Sequence, residues 1–290
     1  MDPSFNGISL RDAAAALLDL AMPRRCVVCR RPLTLRERFI CLPCLADFPF
    51  THFWERSHNP MADRFNARIQ EDLDRISPVP PDPEPYAFAA ALFLYNADSE
   101  YRHIPWHLKY EGGLAAGRFF ARMLGERLAA SPQFSDVDVV IPVPLHWTRR
   151  WRRGYNQAEV IAREVADVLG AELRTDILRR ARRTRSQVRL PVEAKGSNVH
   201  GAFALRPQDN APNGLPCGQT PAGFPRKRLT LRAISRRVHS KTIYPADHIL
   251  LVDDTFTTGS TLNACRAMLR QAFPLPVRIS VATLAFVSSD

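Results

Sequence analysis

Two adjacent carboxylates, Asp253 and Asp254, are followed closely by a hydroxyl-rich stretch, Thr257-Thr258-Gly259-Ser260-Thr261. Acids and a phosphate repel one another unless something neutral or cationic lies between them. Vicinal hydroxyls of a sugar meet that need: they donate hydrogen bonds to the acids while a phosphate on the same sugar rests in the hydroxyl turn. The elements that must position these groups can be read from their surroundings. Ile249-Leu-Leu-Val252 is a branched apolar run bounded by polar residues, the pattern of a buried parallel strand. That places the acid pair at the strand's C-terminal end, where open α/β sheets bind ligands. Leu262, Cys265, Met268 and Leu269 then recur at helical spacing, so the turn feeds a helix N-terminus whose free N–H groups and positive dipole end suit a phosphate dianion. Gly259 removes a Cβ where backbone must come close to the ligand. The plainer alternative is an ordinary strand–turn–helix with an exposed acidic corner. Capping explains one Thr or Asp there but not the whole ordered set.

This stretch resembles the 5-phosphoribosyl-1-pyrophosphate (PRPP) motif of type I phosphoribosyltransferases: four apolar residues, two acids, then a Thr-Thr-Gly turn. The resemblance implies that Asp253 and Asp254 orient the ribose and that Thr257, Thr258, Gly259, Ser260 and Thr261 bind the 5′-phosphate.

With 290 residues the chain can bury one substantial core and carry a small second module. A net charge of +11 and a sequence pI near 9.9 favour anionic ligands: phosphates, nucleotides, nucleic acid or an acidic membrane surface. No apolar run reaches the roughly 18 residues a membrane span needs. Residues 8–22 are apolar but carry Arg11, Asp12 and Asp19, the pattern of an amphipathic helix rather than a signal peptide. A cytoplasmic protein is expected, with its cysteines reduced or metal-bound.

Cys26-Val-Val-Cys29 and Cys41-Leu-Pro-Cys44 are two CxxC knuckles about a dozen residues apart. Each knuckle can give two thiolates to one tetrahedron, so a structural zinc (Zn2+) ribbon is expected from Cys26, Cys29, Cys41 and Cys44. Disulfides are the rival arrangement, and the expected compartment argues against them. His52 and His58 are expected to be solvated rather than metal-bound. From Phe50 to Pro85 the chain is polar, dotted with aromatics and proline-rich near its end, which reads as a linker.

Tyr86–Tyr95 is a strand candidate, and a helix is expected after Gly113 through Leu128. Between them Leu108-Lys109-Tyr110 leaves two roles open, packing on the sheet with Lys109 in solvent, or a ligand contact. Val137–His146 reads as a strand ending in a proline-stiffened turn. Trp147–Arg153 then packs four arginines and two tryptophans into seven residues, a cationic, stackable loop. Arginines so crowded repel one another unless an anion joins them, which singles out Arg149, Arg150 and Arg153. The helix from Gln157 to Leu169 follows, then a short strand over Leu173–Leu178. Arg179–Arg189 adds six more arginines without apolar periodicity. A basic flap with Arg185 and Lys195 beside a phosphate site would cover a leaving pyrophosphate. A merely solvated basic run is the alternative. Val277–Val287 closes the chain as a last strand.

The paired CxxC knuckles, Ile141-Pro-Val-Pro-Leu-His146, Arg153-Gly-Tyr-Asn-Gln157, Asn198-Val-His-Gly-Ala-Phe203 and the PRPP motif occur in the order found in the ComF family. The chain resembles that family from Cys26 to Leu284. The resemblance implies an α/β type I phosphoribosyltransferase fold, a mostly parallel sheet flanked by helices, behind a small zinc ribbon. It also implies PRPP as ligand, magnesium (Mg2+) travelling with it, a pyrophosphate loop over Leu145–Arg153, and in some members a link to DNA uptake in natural competence. Lys195 stands where the family commonly has arginine, keeping the charge but losing the bidentate fork. A long insertion, about 207–246, is polar and then basic, and a loop of that length is expected to be disordered or to bind a partner. Cys217 within it is expected to be a free thiol and Cys265 a small core residue. The expected organisation is an N-terminal helix to residue 22, the ribbon over 23–50, the linker over 51–85 and the phosphoribosyltransferase domain over 86–290. Two functions follow as expectations: 5-phosphoribosyl transfer from PRPP to an unnamed acceptor, or a non-catalytic protein that senses PRPP or handles single-stranded DNA with competence-machinery proteins.

Overall fold

The strand carrying the acid pair, β6 (His248–Phe256), lies inside a five-stranded sheet. The sheet order is β1 (Ala89–Tyr95), β7 (Arg278–Val287), β6, β2 (Val139–Pro142) and β3 (Glu172–Leu173). Every pairing is parallel; Leu250 lies opposite Ser280 on one side and Val140 on the other. The computed structural model describes residues 23–76, 83–110, 113–181, 201–206 and 246–288. The expected N-terminal helix, Arg185, Lys195, Cys217 and all but the end of the 207–246 insertion lie outside them.

Period-two side-chain alternation makes β6 buried on both faces. Leu250 and Val252 join one core with α3 (His103–Tyr110), α4 (Leu114–Ala129) and α6 (Gln157–Leu169), while Ile249 and Leu251 join the other with α2 (Pro60–Ile76) and α7 (Ser260–Ala272). The expected strand over Leu173–Leu178 is instead two: β3, and β4 (Leu178–Arg180), which pairs antiparallel with β5 (Phe203–Leu205) as a separate ribbon. Arg174 and Asp176 lie between them in a side-chain fork of 2.8 and 2.9 Å, which turns the chain out of the sheet.

The cysteine segment is not set apart from this core. The short helix α1 (Leu42–Ala46) leads to Phe48, whose ring meets Phe93 at 5.4 Å and Phe120 at 5.9 Å. Tyr101 Oη donates to the carbonyls of Cys44 and Asp47, at 2.9 and 3.1 Å.

The segment expected as a linker is largely structured. Trp54, Met61, Phe65 and Ile69 are buried, the last three on one face of α2. Asn59 caps that helix, its Oδ1 accepting from the amides of Met61 and Ala62 at 3.1 and 2.9 Å, with Pro60 at the first helical position as geometry favours. The Asn-Pro start and the Met61/Phe65/Ile69 spacing were the signal. Seven charged residues among the 17 of α2 mask it, because only a narrow stripe needs to be apolar.

At the opposite end of the sheet from the acids, His248 Nδ1 meets Asp136 Oδ1 at 2.7 Å and its Nε2 meets Ser280 Oγ at 2.7 Å. The order acid, imidazole, hydroxyl is that of a hydrolase triad, but Ser280 is wholly buried and also accepts from the Phe88 amide at 3.2 Å. This chain of bonds ties the starts of four strands together and gives a substrate no access.

A second buried network joins α7 to the segment that leads into β1. Glu84 takes Arg266 Nη1 on both oxygens, at 2.6 and 2.7 Å, and Arg270 Nη2 at 3.2 Å. Arg266 Nε donates to Asn263 Oδ1, and Asn263 Nδ2 to Asp72 on α2. Removing one partner of a buried pair leaves uncompensated charge, a cost of about 3–5 kcal/mol. Glu84→Ala is therefore expected to lower unfolding free energy by about 3 kcal/mol, measured by urea denaturation.

Candidate functional site

At the C-terminal edge of β6 the acids sit on the floor of a cleft of about 340 Å3. The Asp254 amide donates to Asp253 Oδ1 at 2.8 Å, which fixes the Asp253 carboxylate. Lys109, from α3, reaches Asp254 Oδ2 at 3.0 Å. Of the two roles open to Lys109, the structure shows it at the cleft, not in free solvent. Burial and the Asp254 charge push the Asp253 carboxyl up to about 7, against the opposing pull of Lys109 and Arg180. Burial draws the Lys109 ammonium down, but Asp254, Tyr95 and Asp253 more than offset it and its pKa moves up. The corner thus holds one firmly ion-paired carboxylate beside one whose charge is costly.

The turn expected to hold phosphate borders the same cleft through Thr257, Gly259, Ser260 and Thr261. Thr258 is turned aside, its Oγ1 2.8 Å from Ser260 Oγ. Helix α7 starts here, and its N-cap, Gly259, supplies no side-chain bond to the first amides. Those donors face the cleft end of a 13-residue helix, where the macrodipole is positive. Gly259 is required for two reasons beyond ligand approach. Its φ is +74°, and a Cβ would lie 2.8 Å from the Phe256 ring, so any side chain would strain the backbone and push the ring.

The arginine stretch expected as a loop is a two-turn helix, α5 (Trp147–Arg153), started by His146, whose Nδ1 accepts from the Thr148 amide at 3.3 Å. Helical spacing divides its arginines. Arg149 and Arg153 line the cleft, while Arg150 turns to Glu159 at 3.7 Å and borders a neighbouring recess. The structure also brings in residues the sequence reading did not single out: Arg180 from β4, and Asn156 and Gln157 at the start of α6. Gln157 is buried and its Nε2 has no hydrogen-bond partner among the described residues, nor has Arg153 Nε. Orphaned buried donors beside a cleft are what an anionic ligand would satisfy. Gln157 closes the Arg-Gly-Tyr-Asn-Gln run, so its position was visible, but its direction was not. Arg185 and Lys195 belong to residues outside those described, between β4 and β5.

The four cysteines come together at the other end of the chain. Their sulfurs all lie within 4.8 Å of one another, and Cys29 Sγ is 3.6 Å from Cys41 Sγ with no disulfide formed. Zn–S bonds of about 2.3 Å in a tetrahedron require sulfurs about 3.8 Å apart, so the donor set fits a structural zinc ion. The Cys41 amide donates to Cys26 Sγ at 3.4 Å and Arg31 Nε to Cys29 Sγ at 3.4 Å. Cys29 falls to about 6 although burial opposes it, through hydrogen bonds from Arg31 and the neighbouring cysteines. His52 pairs with Glu55 and His58 with Asp63, both outside the cluster.

No family model matches the chain. It is similar to Competence protein F of Haemophilus influenzae, 30% identical over 134 residues, 46% of this chain and 44% of that protein. It is also similar to DNA utilization protein YhgH of Salmonella typhimurium, 23% identical over 252 residues, 84% of this chain and 89% of that one. The chain is similar to ComF-type proteins. The YhgH of Escherichia coli K12 matches over a shorter span, 26% over 125 residues, 43% of this chain and 40% of the relative. The arrangement in this chain is a parallel α/β sheet, a cysteine cluster packed into its core and a basic cleft with two acids on its floor. No helix among the described residues is long and apolar enough to cross a membrane.

Two outcomes follow. Asp253 ionises less readily folded than unfolded, where its pKa is near the ordinary 3.8, so its contribution to stability falls as pH rises from about 4 to about 7. Asp253→Asn escapes that loss, and thermal denaturation should show it more stable than wild type by a margin larger at pH 8 than at pH 5. Cys44→Ser should reduce bound zinc, measured by elemental analysis, and lower the melting temperature, since the cluster shares the main core.

Proposed function

We propose that this chain binds PRPP and transfers its 5-phosphoribosyl group to an acceptor, releasing pyrophosphate. The observation that carries this reading is the meeting, in one cleft, of a paired-acid floor, a helix N-terminus whose N-cap is glycine and the guanidinium groups of Arg149, Arg153 and Arg180. Acids alone would repel the ligand and cations alone would suit any anion. A sugar carrying phosphates at two positions uses all three.

In this mechanism Asp253 and Asp254 accept the ribose 2′- and 3′-hydroxyls, and the first amides of α7 with Thr257, Ser260 and Thr261 hold the 5′-phosphate. Arg149, Arg153, Arg180 and the orphaned Gln157 Nε2 bind the pyrophosphate end, with Arg185 and Lys195 closing over it. Magnesium would enter with PRPP and neutralise part of its charge. The C1–O bond breaks with its electron pair leaving on pyrophosphate. The acceptor's lone pair forms the new bond to C1, and its proton passes to solvent. Positive charge grows on the ribose between these events, so the acid pair would stabilise the transition state more than the ground state. That step is served best with Asp253 ionised. Its raised pKa predicts low turnover in acid, rising through about pH 7.

A second reading has one observation in its favour. Trp147 and Trp151 are 71% and 87% exposed beside the α5 arginines, a surface on which unpaired bases could stack. The relatives' names point the same way, to competence and DNA utilization. In this reading the chain is a PRPP-sensing or single-stranded-DNA-handling partner of competence proteins in the cytoplasm, without transfer.

Calorimetry with PRPP and magnesium tests the site, and pyrophosphate release distinguishes the two readings. Two charged hydrogen bonds at about 1.5–3 kcal/mol each imply that Asp253→Asn with Asp254→Asn weakens PRPP by at least about 100-fold. Unchanged affinity would remove the acids from the site. Pyrophosphate release with some acceptor supports transfer. PRPP binding without release, and a band shift that weakens steeply with salt, supports the second reading.

A further inference from the structure

A groove of about 640 Å3 adjoins the cleft and shares Tyr95, Lys109 and Tyr110 with it. Its volume falls in the range of small-molecule sites, about 300–1,000 Å3. The remaining wall joins two parts of the fold. His103 and Trp106 come from α3, on the same face as Tyr110, and Arg102 from the turn before it. Arg30 comes from the first cysteine knuckle. His103 Nδ1 meets the Val28 carbonyl at 3.1 Å, which fixes α3 against that knuckle.

Three features give the groove a chemical character. Trp106 and Tyr110 are 47% and 55% exposed, with ring centroids 5.6 Å apart, and the Arg153 guanidinium lies over the Tyr110 ring at 5.1 Å, so the Trp106 face and the rest of the Tyr110 ring are left toward solvent at the mouth of a polar cleft. The lining carries the guanidinium groups of Arg30 and Arg102, the latter donating to the Ala97 carbonyl, and no carboxylate; Lys109 is paired with Asp254. Arg30 has φ +63°, a left-handed conformation that glycine adopts without cost and arginine does not. Backbone strain held at one residue of a recess, with a guanidinium as its outcome, points to a use for that side chain.

We propose that this groove is the acceptor subsite and that the acceptor is a planar aromatic anion, stacked on Trp106 and Tyr110 with its charge on Arg30 and Arg102. The proposal rests on the PRPP reading above and adds the class of second substrate. It also gives the cysteine cluster a role beyond holding the fold: it positions Arg30 at the wall of the reaction cleft. A nucleic acid strand is disfavoured here because the groove runs into the acid pair, which would repel a continuing phosphate backbone.

The test uses the full-length, zinc-loaded protein with orotate and anthranilate as planar aromatic carboxylates. Adenine and uracil serve as neutral planar rings, and a dT oligonucleotide as the nucleic-acid probe. Arg30→Gly deletes the guanidinium and relieves the backbone, so zinc content and melting temperature should hold. Trp106→Ala removes the stacking face, and Trp151→Ala, far along α5, is the control. Calorimetry should show PRPP binding unchanged in Arg30→Gly and Trp106→Ala. At least one carboxylate should bind the PRPP-loaded wild type more tightly than either neutral ring, and lose at least tenfold in both groove variants but not in Trp151→Ala. If PRPP binds and neither carboxylate does, or if Arg30→Gly leaves carboxylate binding intact, the groove assignment is wrong and the PRPP reading survives. Neutral rings or the oligonucleotide binding more tightly, with the same sensitivity to Trp106→Ala, would also overturn the anionic class. If PRPP itself does not bind, both readings fall.

Discussion

Placing two carboxylates side by side at the buried end of a strand is costly, and much of the architecture around β6 offsets that cost. Asp254 is neutralised by Lys109, carried on α3 from a distant part of the sequence. Asp253 keeps only the Asp254 amide and more distant cations, and its pKa rises accordingly. The chain retains the pair although a single acid or an apolar residue would pack at lower cost. Such a charge arrangement is the expected mark of a ligand site rather than of a fold requirement.

The same corner sets what the flanking helices must do. Helices α6 and α7 both begin beside the acids, so their positive ends oppose the carboxylate field and create a cleft with an acidic floor and basic walls. Gly259 lets α7 start against the Phe256 ring, and as N-cap it adds no side-chain bond of its own to the first amides, of which that of Ser260 donates to Thr258 Oγ1 at 3.5 Å. At the far end of the strands Asp136, His248 and Ser280 are instead bonded to one another in a chain. The sheet is tied together by that chain at one end and carries the polar cleft, with the orphaned Arg153 Nε and Gln157 Nε2, at the other. A strand bundle held firmly at its base can present such an edge without losing its register.

The cysteine cluster belongs to this mechanical unit. Its sulfurs and Phe48 pack into the same core as Phe93 and Phe120, so a bound metal would brace the sheet as well as the knuckles. It also gives Arg30 a fixed place beside α3, something a freely linked ribbon could not do.

Much of this was legible in the chain itself. The apolar run before Asp253, the hydroxyl turn, the paired CxxC spacing and the helix after Gln157 are local signals, because a few neighbouring residues set strand, cap and metal-ligand geometry. The α2 helix was missed where seven charges hid a three-residue stripe, and Trp147–Arg153 was read as a loop because its arginines suggest repulsion before they suggest a helix. Other facts depend on contacts between distant residues. Only the folded chain places Lys109 on Asp254, separates Arg150 from Arg149 and Arg153, brings Arg180 and Gln157 to the cleft, and sets Arg30 beside Trp106. Sequence fixes which groups are present and how each short element begins and ends, since those are short-range sterics and hydrogen bonds. Which charges meet is decided by the packing of whole elements across the sheet, and that is written in no single stretch.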